Sequence, residues 1–116
     1  MDPDAFPLEL RIAGMSRRAA LEQMLQEDPQ DVFLHYGLAN ELAKLGEVAA
    51  ALDRFTQIHE QFPDYVPAWF RHAQVLAEQG DTAEARRIGV MGVEVADRVG
   101  DFHAAGELRG FLELFS

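Results

Sequence analysis

Apolar residues recur along this chain at intervals of three and four, the spacing of one face of an α-helix. Leu34, Leu38, Leu42 and Leu45 follow this spacing within a helix predicted over residues 32–45. Outside residues 8–12, the chain shows no strand pattern. Further helices are predicted over residues 16–28, 48–61, 65–79, 83–99 and 102–115.

Residues that begin and end helices stand at the boundaries of these segments. Ser16 and Asp31 are good N-caps for the helices that follow them. Pro29 ends the first of these helices, because a residue before proline is disfavoured in the helical region. Gly46 and Gly80 are suited to the left-handed turn that closes a helix.

Several of these landmarks recur at one fixed interval. The same 34 residues separate Pro29 from Pro63, Gly46 from Gly80, and Ala51 from Ala85. A period of this length is typical of a helix–turn–helix unit that stacks on copies of itself. One helix pair cannot cover its own apolar stripe, so neighbouring pairs are expected to pack together.

The repeated residues resemble the tetratricopeptide repeat over two full units, residues 32–65 and 66–99. The second unit departs from the family pattern at His72, where Leu is usual, and at Asp97, where Pro is usual; His35 replaces Trp in the first. The matching residues are Leu38, Ala39, Leu42, Gly46, Ala51, Phe55 and Pro63 in the first unit, and Trp69, Ala73, Leu76, Gly80 and Ala85 in the second.

The resemblance implies an all-α fold, a right-handed superhelix of stacked antiparallel helix pairs. Residues 15–116 would form a single domain, in which the helix over 16–28 is a partial leading repeat and that over 102–115 is the terminal capping helix. Residues 1–14 are interpreted as a flexible leader or a cloning remnant before Met15, with an ordinary frayed terminus as the alternative. Residues 8–12 are predicted to be a short extended piece.

In this family the concave face, lined by the first helix of each unit, carries the function. The resemblance therefore implies a module that binds a peptide or protein segment. Aromatic rings offer apolar contact to such a segment, amides can bond its backbone, and Arg71 could hold a carboxylate. Alternatively, Tyr36 and Phe70 pack against the next unit. The implied groove residues are Phe33, Tyr36, Asn40 and Lys44, then Phe70, Arg71, Gln74 and Glu78, with Gly37 and Pro67 on the same face.

Chaperone-binding members of the family grip a C-terminal carboxylate with Lys, Asn and Arg residues. Here Asn40 matches one clamp position, but Tyr36 replaces the neighbouring Lys and Arg71 replaces the next Asn. A chaperone clamp is therefore not expected.

Two glycines, Gly89 and Gly92, interrupt the second helix of the second unit. Glycine in a helix interior costs about 1 kcal/mol relative to alanine, so a packing reason is expected. In one hypothesis the capping helix lies tightly across them, with Phe111 or Phe115 over the gap. In the other, a second copy docks on residues 89–93 or on the capping helix, which makes a homodimer.

Charge and composition exclude several classes of function. Twenty acidic and ten basic side chains give a formal net charge of −10, which disfavours binding to nucleic acid or an anionic membrane. No apolar run reaches the roughly 20 residues of a membrane span, and no secretory signal is evident. A cytoplasmic location is the default expectation. With no cysteine, the chain can form neither a disulfide nor a thiolate metal site.

No catalytic, metal or cofactor motif is found. The four histidines show no i,i+4 pairing, and the chain has no Gly-rich phosphate loop and no nucleophile motif. His35 and His72 stand at repeat positions that are normally apolar, and are predicted to be partly buried packing residues. The chain is therefore not expected to be an enzyme or to hold a cofactor.

Overall fold

The structure is a computed structural model that describes residues 7–115. This part of the chain contains α-helices and no strand. The helices are α1 (Leu8–Ile12), α2 (Arg17–Glu27), α3 (Val32–Lys44), α4 (Val48–Gln61), α5 (Val66–Glu78), α6 (Thr82–Val99) and α7 (Phe102–Glu113). The predicted helices from residue 16 onward are thereby confirmed, with ends that differ by at most two residues.

Local capping explains where these helices begin. The side chains of Ser16, Asp31, Asp81 and Asp101 each accept a hydrogen bond from a backbone N–H in the first turn of the helix that follows. These bonds satisfy donors that have no partner within the helix. For α6, Asp81 Oδ1 accepts this bond from the Glu84 backbone N–H at 3.2 Å.

The two repeats end their first helices in the same way. Gly46 and Gly80 have φ of +82° and +83°, values that glycine adopts without strain. The next backbone N–H then reaches back to the helix, at 2.9 Å from Glu47 to the Leu42 carbonyl and at 3.0 Å from Asp81 to Leu76. Both are Schellman-type endings.

The helices stack in sequence instead of closing into a bundle. Each helix packs mainly on the helices before and after it in the chain. The molecule measures 58 × 30 × 20 Å, and its radius of gyration of 16.2 Å exceeds the about 13 Å expected of a compact domain of this length. The core accordingly runs as three successive clusters, between α2 and α4, between α3 and α5, and between α5 and α7.

The prediction of an extended piece at residues 8–12 is wrong, because these residues form α1. Its alternating apolar and polar residues suit a strand, but a strand needs a neighbour to pair with and the described chain offers none. Pro7 begins the helix, and Arg11 forms an ion pair with Glu27 of α2. Residues 1–6 of the predicted leader lie outside the described residues.

The glycines of α6 are covered by α7, as the first hypothesis expects, but the covering side chains differ. A Cβ atom on Gly89 would lie 2.8 Å from Leu112 Cδ2, and one on Gly92 would lie 3.0 Å from Trp69 Cβ and 3.2 Å from Leu108 Cδ1. The α7 side chains in this contact are therefore Leu112 and Leu108, and not Phe111 or Phe115, and Trp69 of α5 also approaches Gly92. The two glycines themselves are buried, whereas Val90 between them is 43% exposed, and the homodimer stays a prediction.

Candidate functional site

The first helices of the repeats, α3 and α5, lie side by side, and α7 continues the row beyond them. In the chain, α4 connects α3 to α5, and α6 connects α5 to α7. Each connecting helix runs in the opposite direction to its neighbours, so α3, α5 and α7 run in the same direction. Four of the predicted groove residues line a cavity between these helices.

Aromatic rings cluster at one end of this face. The ring of Tyr65 lies 5.4 Å from that of Tyr36 and 5.9 Å from that of Phe33, in both cases edge to face. Burial, and then the nearby Tyr36, raise the pKa of the Tyr65 phenol. Phe33 stays 71% exposed. Tyr65 was not predicted from the sequence, because this residue precedes α5 and does not occupy a groove position of the repeat pattern.

A cavity of about 310 Å³ opens beside this cluster, between α3, α5 and α7. It brings together four of the predicted groove residues, Tyr36, Phe70, Arg71 and Gln74. The remaining lining residues are Val66, Pro67, Asp101, Ala104 and Glu107.

The wall that α7 contributes was not predicted. Asp101, Ala104 and Glu107 follow each other at steps of three residues and so line one side of that helix. The sequence showed α7 only as a capping helix, since it lacks the repeat residues that assign groove positions. Its charged residues at helical spacing were the available signal.

Tyr36 and Phe70 have two roles at once. The ring of Tyr36 packs against Phe55 at 6.5 Å as well as against Tyr65, and Phe70 packs against Phe111 at 5.7 Å. Both nevertheless remain half-buried and line the cavity. The alternative prediction, packing against the next unit, holds for Phe70, because Phe111 lies beyond residues 66–99. The ring partners of Tyr36 belong to its own unit, residues 32–65.

Arg71 is engaged by its own helix. Its Nη1 donates to Glu78 Oε1 at 3.3 Å, an exposed ion pair two turns apart. A carboxylate from a partner would have to compete with Glu78 for this guanidinium.

The other predicted groove residues lie apart from the cavity lining. Phe33 belongs to the aromatic cluster, Glu78 pairs with Arg71, and Lys44 is exposed in the last turn of α3. Asn40 is half-buried, and its Oδ1 is a buried acceptor for which residues 7–115 supply no hydrogen-bond donor.

His35 and His72 were predicted to be partly buried packing residues, and they are buried more fully than that, with 8% and 5% exposed. His35 Nε2 lies 2.8 Å from the Pro29 carbonyl, and Arg54 Nη1 lies 3.3 Å from His35 Nδ1. Because the carbonyl can only accept and the guanidinium can only donate, His35 carries its proton on Nε2.

A second histidine contact joins the two repeats and was missed. His59 Nε2 lies 2.9 Å from His72 Nδ1, and the pair faces a separate cavity of about 400 Å³ between α4 and α6. Burial, and to a smaller extent the neighbouring His72, lowers the pKa of His59 to about 3. Burial is the main cause that lowers the pKa of His72 to about 4. Among the described residues, no group of three or more His, Asp or Glu side chains is arranged to hold a metal ion.

None of the helices within residues 7–115 combines the length and the apolar character needed to cross a membrane.

The chain is similar to proteins that contain tetratricopeptide repeats. The family model described as Tetratricopeptide repeat matches residues 42–89. A TPR repeat-containing protein of Pseudomonas aeruginosa is 29% identical over 92 residues, which cover 79% of this chain and 88% of that protein. The solution NMR structure of a tetratricopeptide repeat domain protein from Salinibacter ruber is 29% identical, with a TM-score of 0.73, over 77% of this chain and 90% of that one.

A third similarity is to one part of a much longer protein. The tetratricopeptide repeat and J domain-containing co-chaperone of Cryptococcus neoformans is 34% identical over 67 residues, or 58% of this chain. The match covers only 13% of that protein. The co-chaperone role therefore describes that protein and is not assigned to this chain. The family match, the relatives and the stacked helix pairs agree with each other and with the 34-residue period. This chain therefore has an all-α helical repeat fold like that of tetratricopeptide repeat proteins.

Proposed function

We propose that this chain binds an extended segment of another protein on the face formed by α3, α5 and α7, without catalysis. Tetratricopeptide repeat domains generally mediate protein–protein interactions, and the family is in general a non-catalytic scaffold. The observation that carries the proposal is the 310 Å³ cavity, which gathers Tyr36, Phe70, Arg71 and Gln74 from two helices at the positions where a groove is expected.

The chemistry of this face suits a peptide. The rings of Tyr36 and Phe70 offer apolar contact, and the Gln74 amide can both donate to and accept from a peptide backbone.

The experiment is selection of a random dodecapeptide library, displayed on phage, against the full chain. The enriched peptides are then synthesised and titrated against the double variant Arg71→Ala, Gln74→Ala. A matched control, Gln57→Ala with Arg86→Ala, changes the same residue types at exposed positions on α4 and α6.

We expect the groove variant to lose at least about tenfold in affinity, since each lost hydrogen bond in a desolvated contact is worth about 1 kcal/mol. The control is expected to bind like the unchanged chain. If no peptide is enriched, or if both variants bind equally well, the proposed function is wrong.

A further inference from the structure

The cavity between α3, α5 and α7 combines aromatic walls with an acidic side. Tyr36 and Phe70 supply the rings from α3 and α5. Asp101 and Glu107 supply two carboxylates from α7, with the small Ala104 between them. This combination is more specific than either component alone.

The two carboxylates keep the capacity to bind a ligand. Asp101 Oδ1 accepts from the Ala104 backbone N–H at 3.1 Å, and Glu107 Oε1 lies 2.6 Å from Nε2 of the exposed His103. A carboxylate has two oxygens and about four acceptor sites, so these contacts leave each group with further acceptor sites.

Arg71, the one cation among the described residues that line the cavity, does not balance this charge. Arg71 is already paired with Glu78, a third carboxylate, at 3.3 Å. The net charge of Arg71, Glu78, Asp101 and Glu107 together is therefore negative. It has the same sign as the formal net charge of −10 of the whole chain. A field of this sign attracts cationic segments and repels anionic ones.

We infer that the cavity accepts a basic side chain of the bound segment, with arginine preferred to lysine, between the Tyr36 and Phe70 rings and the carboxylates of Asp101 and Glu107. A guanidinium is planar, stacks on aromatic faces and donates in a fork that suits carboxylates, whereas an ammonium is a compact, strongly hydrated charge. The inference rests on the proposed function and specifies its partner by chemistry.

The competing occupant is an anionic group held by Arg71. Such a group would have to displace Glu78 from the guanidinium and would also face the two α7 carboxylates. Both effects oppose it, so the structure favours the cation.

The test uses isosteric changes that remove charge but keep shape. Asp101→Asn with Glu107→Gln neutralises the acidic side, and asparagine caps a helix about as well as aspartate. The control, Asp53→Asn with Glu94→Gln, removes the same charge at exposed positions on α4 and α6. Each enriched peptide is made in three forms, with its basic residue as arginine, lysine or neutral citrulline.

We expect the enriched peptides to share a basic residue. Replacing arginine by citrulline should weaken binding to the unchanged chain by at least about tenfold, because hydrogen bonds to charged groups are the stronger ones. That preference should vanish in the Asp101→Asn, Glu107→Gln variant and persist in the control variant. Affinity should also fall as salt rises from 50 to 500 mM.

The outcomes separate this inference from the proposed function. Peptides that need Arg71 and Gln74 but carry no basic residue, or that bind citrulline as well as arginine, would overturn the inference and leave the function standing. Acidic peptides that bind through Arg71 would do the same. If no peptide is enriched, both fail.

Discussion

The imidazole of His59 lies flat against the indole of Trp69, with ring centroids 3.6 Å apart and ring planes inclined by only 6°. The same imidazole contacts His72, and His72 stacks on Phe55 at 5.5 Å. Trp69 in turn donates from Nε1 to the Pro63 carbonyl at 2.9 Å. These rings join α4 of the first repeat to α5 of the second, so the contact between the repeats contains two titratable groups in a largely apolar setting.

Acid is therefore expected to weaken the fold well above the pH at which carboxylates protonate. The pKa of His59 is about 3 and that of His72 about 4 in the folded chain, against about 6.5 for an unfolded histidine. Below pH 6.5 the unfolded state binds more protons, so the free energy of unfolding falls as pH falls from about 7 toward these folded values. Partial solvent access reduces the effect, and we expect a loss of about 1–2 kcal/mol between pH 7.5 and pH 5.

Urea unfolding followed by circular dichroism at pH 7.5, 6 and 5 measures this slope. His72→Leu should flatten it, because it removes one of the two protonation sites. Gln57→Leu, which adds the same apolar side chain at an exposed position of α4, should leave the slope as it is. Equal stability of the unchanged chain at pH 7.5 and 5 would contradict the prediction.

Glycines on α6 and α7 are expected to respond to alanine in opposite directions. Gly92→Ala should destabilise the fold by about 1–3 kcal/mol, because the new methyl group meets Trp69 Cβ at 3.0 Å in a packed core. Gly106→Ala should stabilise it by about 0.5–1 kcal/mol, because nothing lies within 4 Å of its Cβ position and alanine is the better helix former. Thermal unfolding compares the two, and a stabilising Gly92→Ala would show that α6 packs against α5 and α7 more loosely than described.

Phe55 is expected to be a major packing residue of the repeat contact. It is fully buried, so Phe55→Ala should cost about 3–5 kcal/mol in unfolding free energy. Phe33→Ala removes the same side chain where it is 71% exposed, and should change stability by less than about 1 kcal/mol. Chemical denaturation of both variants gives the comparison, and similar losses in the two would be inconsistent with the packing of Phe55.

The N-cap of α7 is expected to depend on the chemistry of residue 101. Asp101→Ala should cost about 1 kcal/mol, because the Ala104 backbone N–H loses its acceptor, whereas Asp101→Asn should cost only a few tenths. Thermal unfolding of the two variants tests this directly. A large loss in Asp101→Asn would mean that the charge itself, and not the hydrogen bond, stabilises this end of α7.

Local features of the fold could be predicted because they depend on nearby residues. Asp31 caps the helix it precedes, and Gly46 closes the helix it follows, through contacts within a few positions of each. The failure at residues 8–12 has the same origin, since an alternating pattern favours a strand only where a partner strand exists. The predicted groove residues Tyr36, Phe70, Arg71 and Gln74 line one cavity because the 34-residue period places them on equivalent faces.

By itself, the sequence determined the number of helices from residue 16 onward, their approximate ends and the repeat that relates them. Only the tertiary structure decided that Leu112 and Leu108 cover the glycines of α6, that His59 contacts His72, and that α7 brings Asp101 and Glu107 to the groove. The physical reason is that helix periodicity and caps are short-range properties of the backbone. Contacts between helices depend on the crossing angle and rotation at which their side chains interlock, and those are set by the packing of the whole stack.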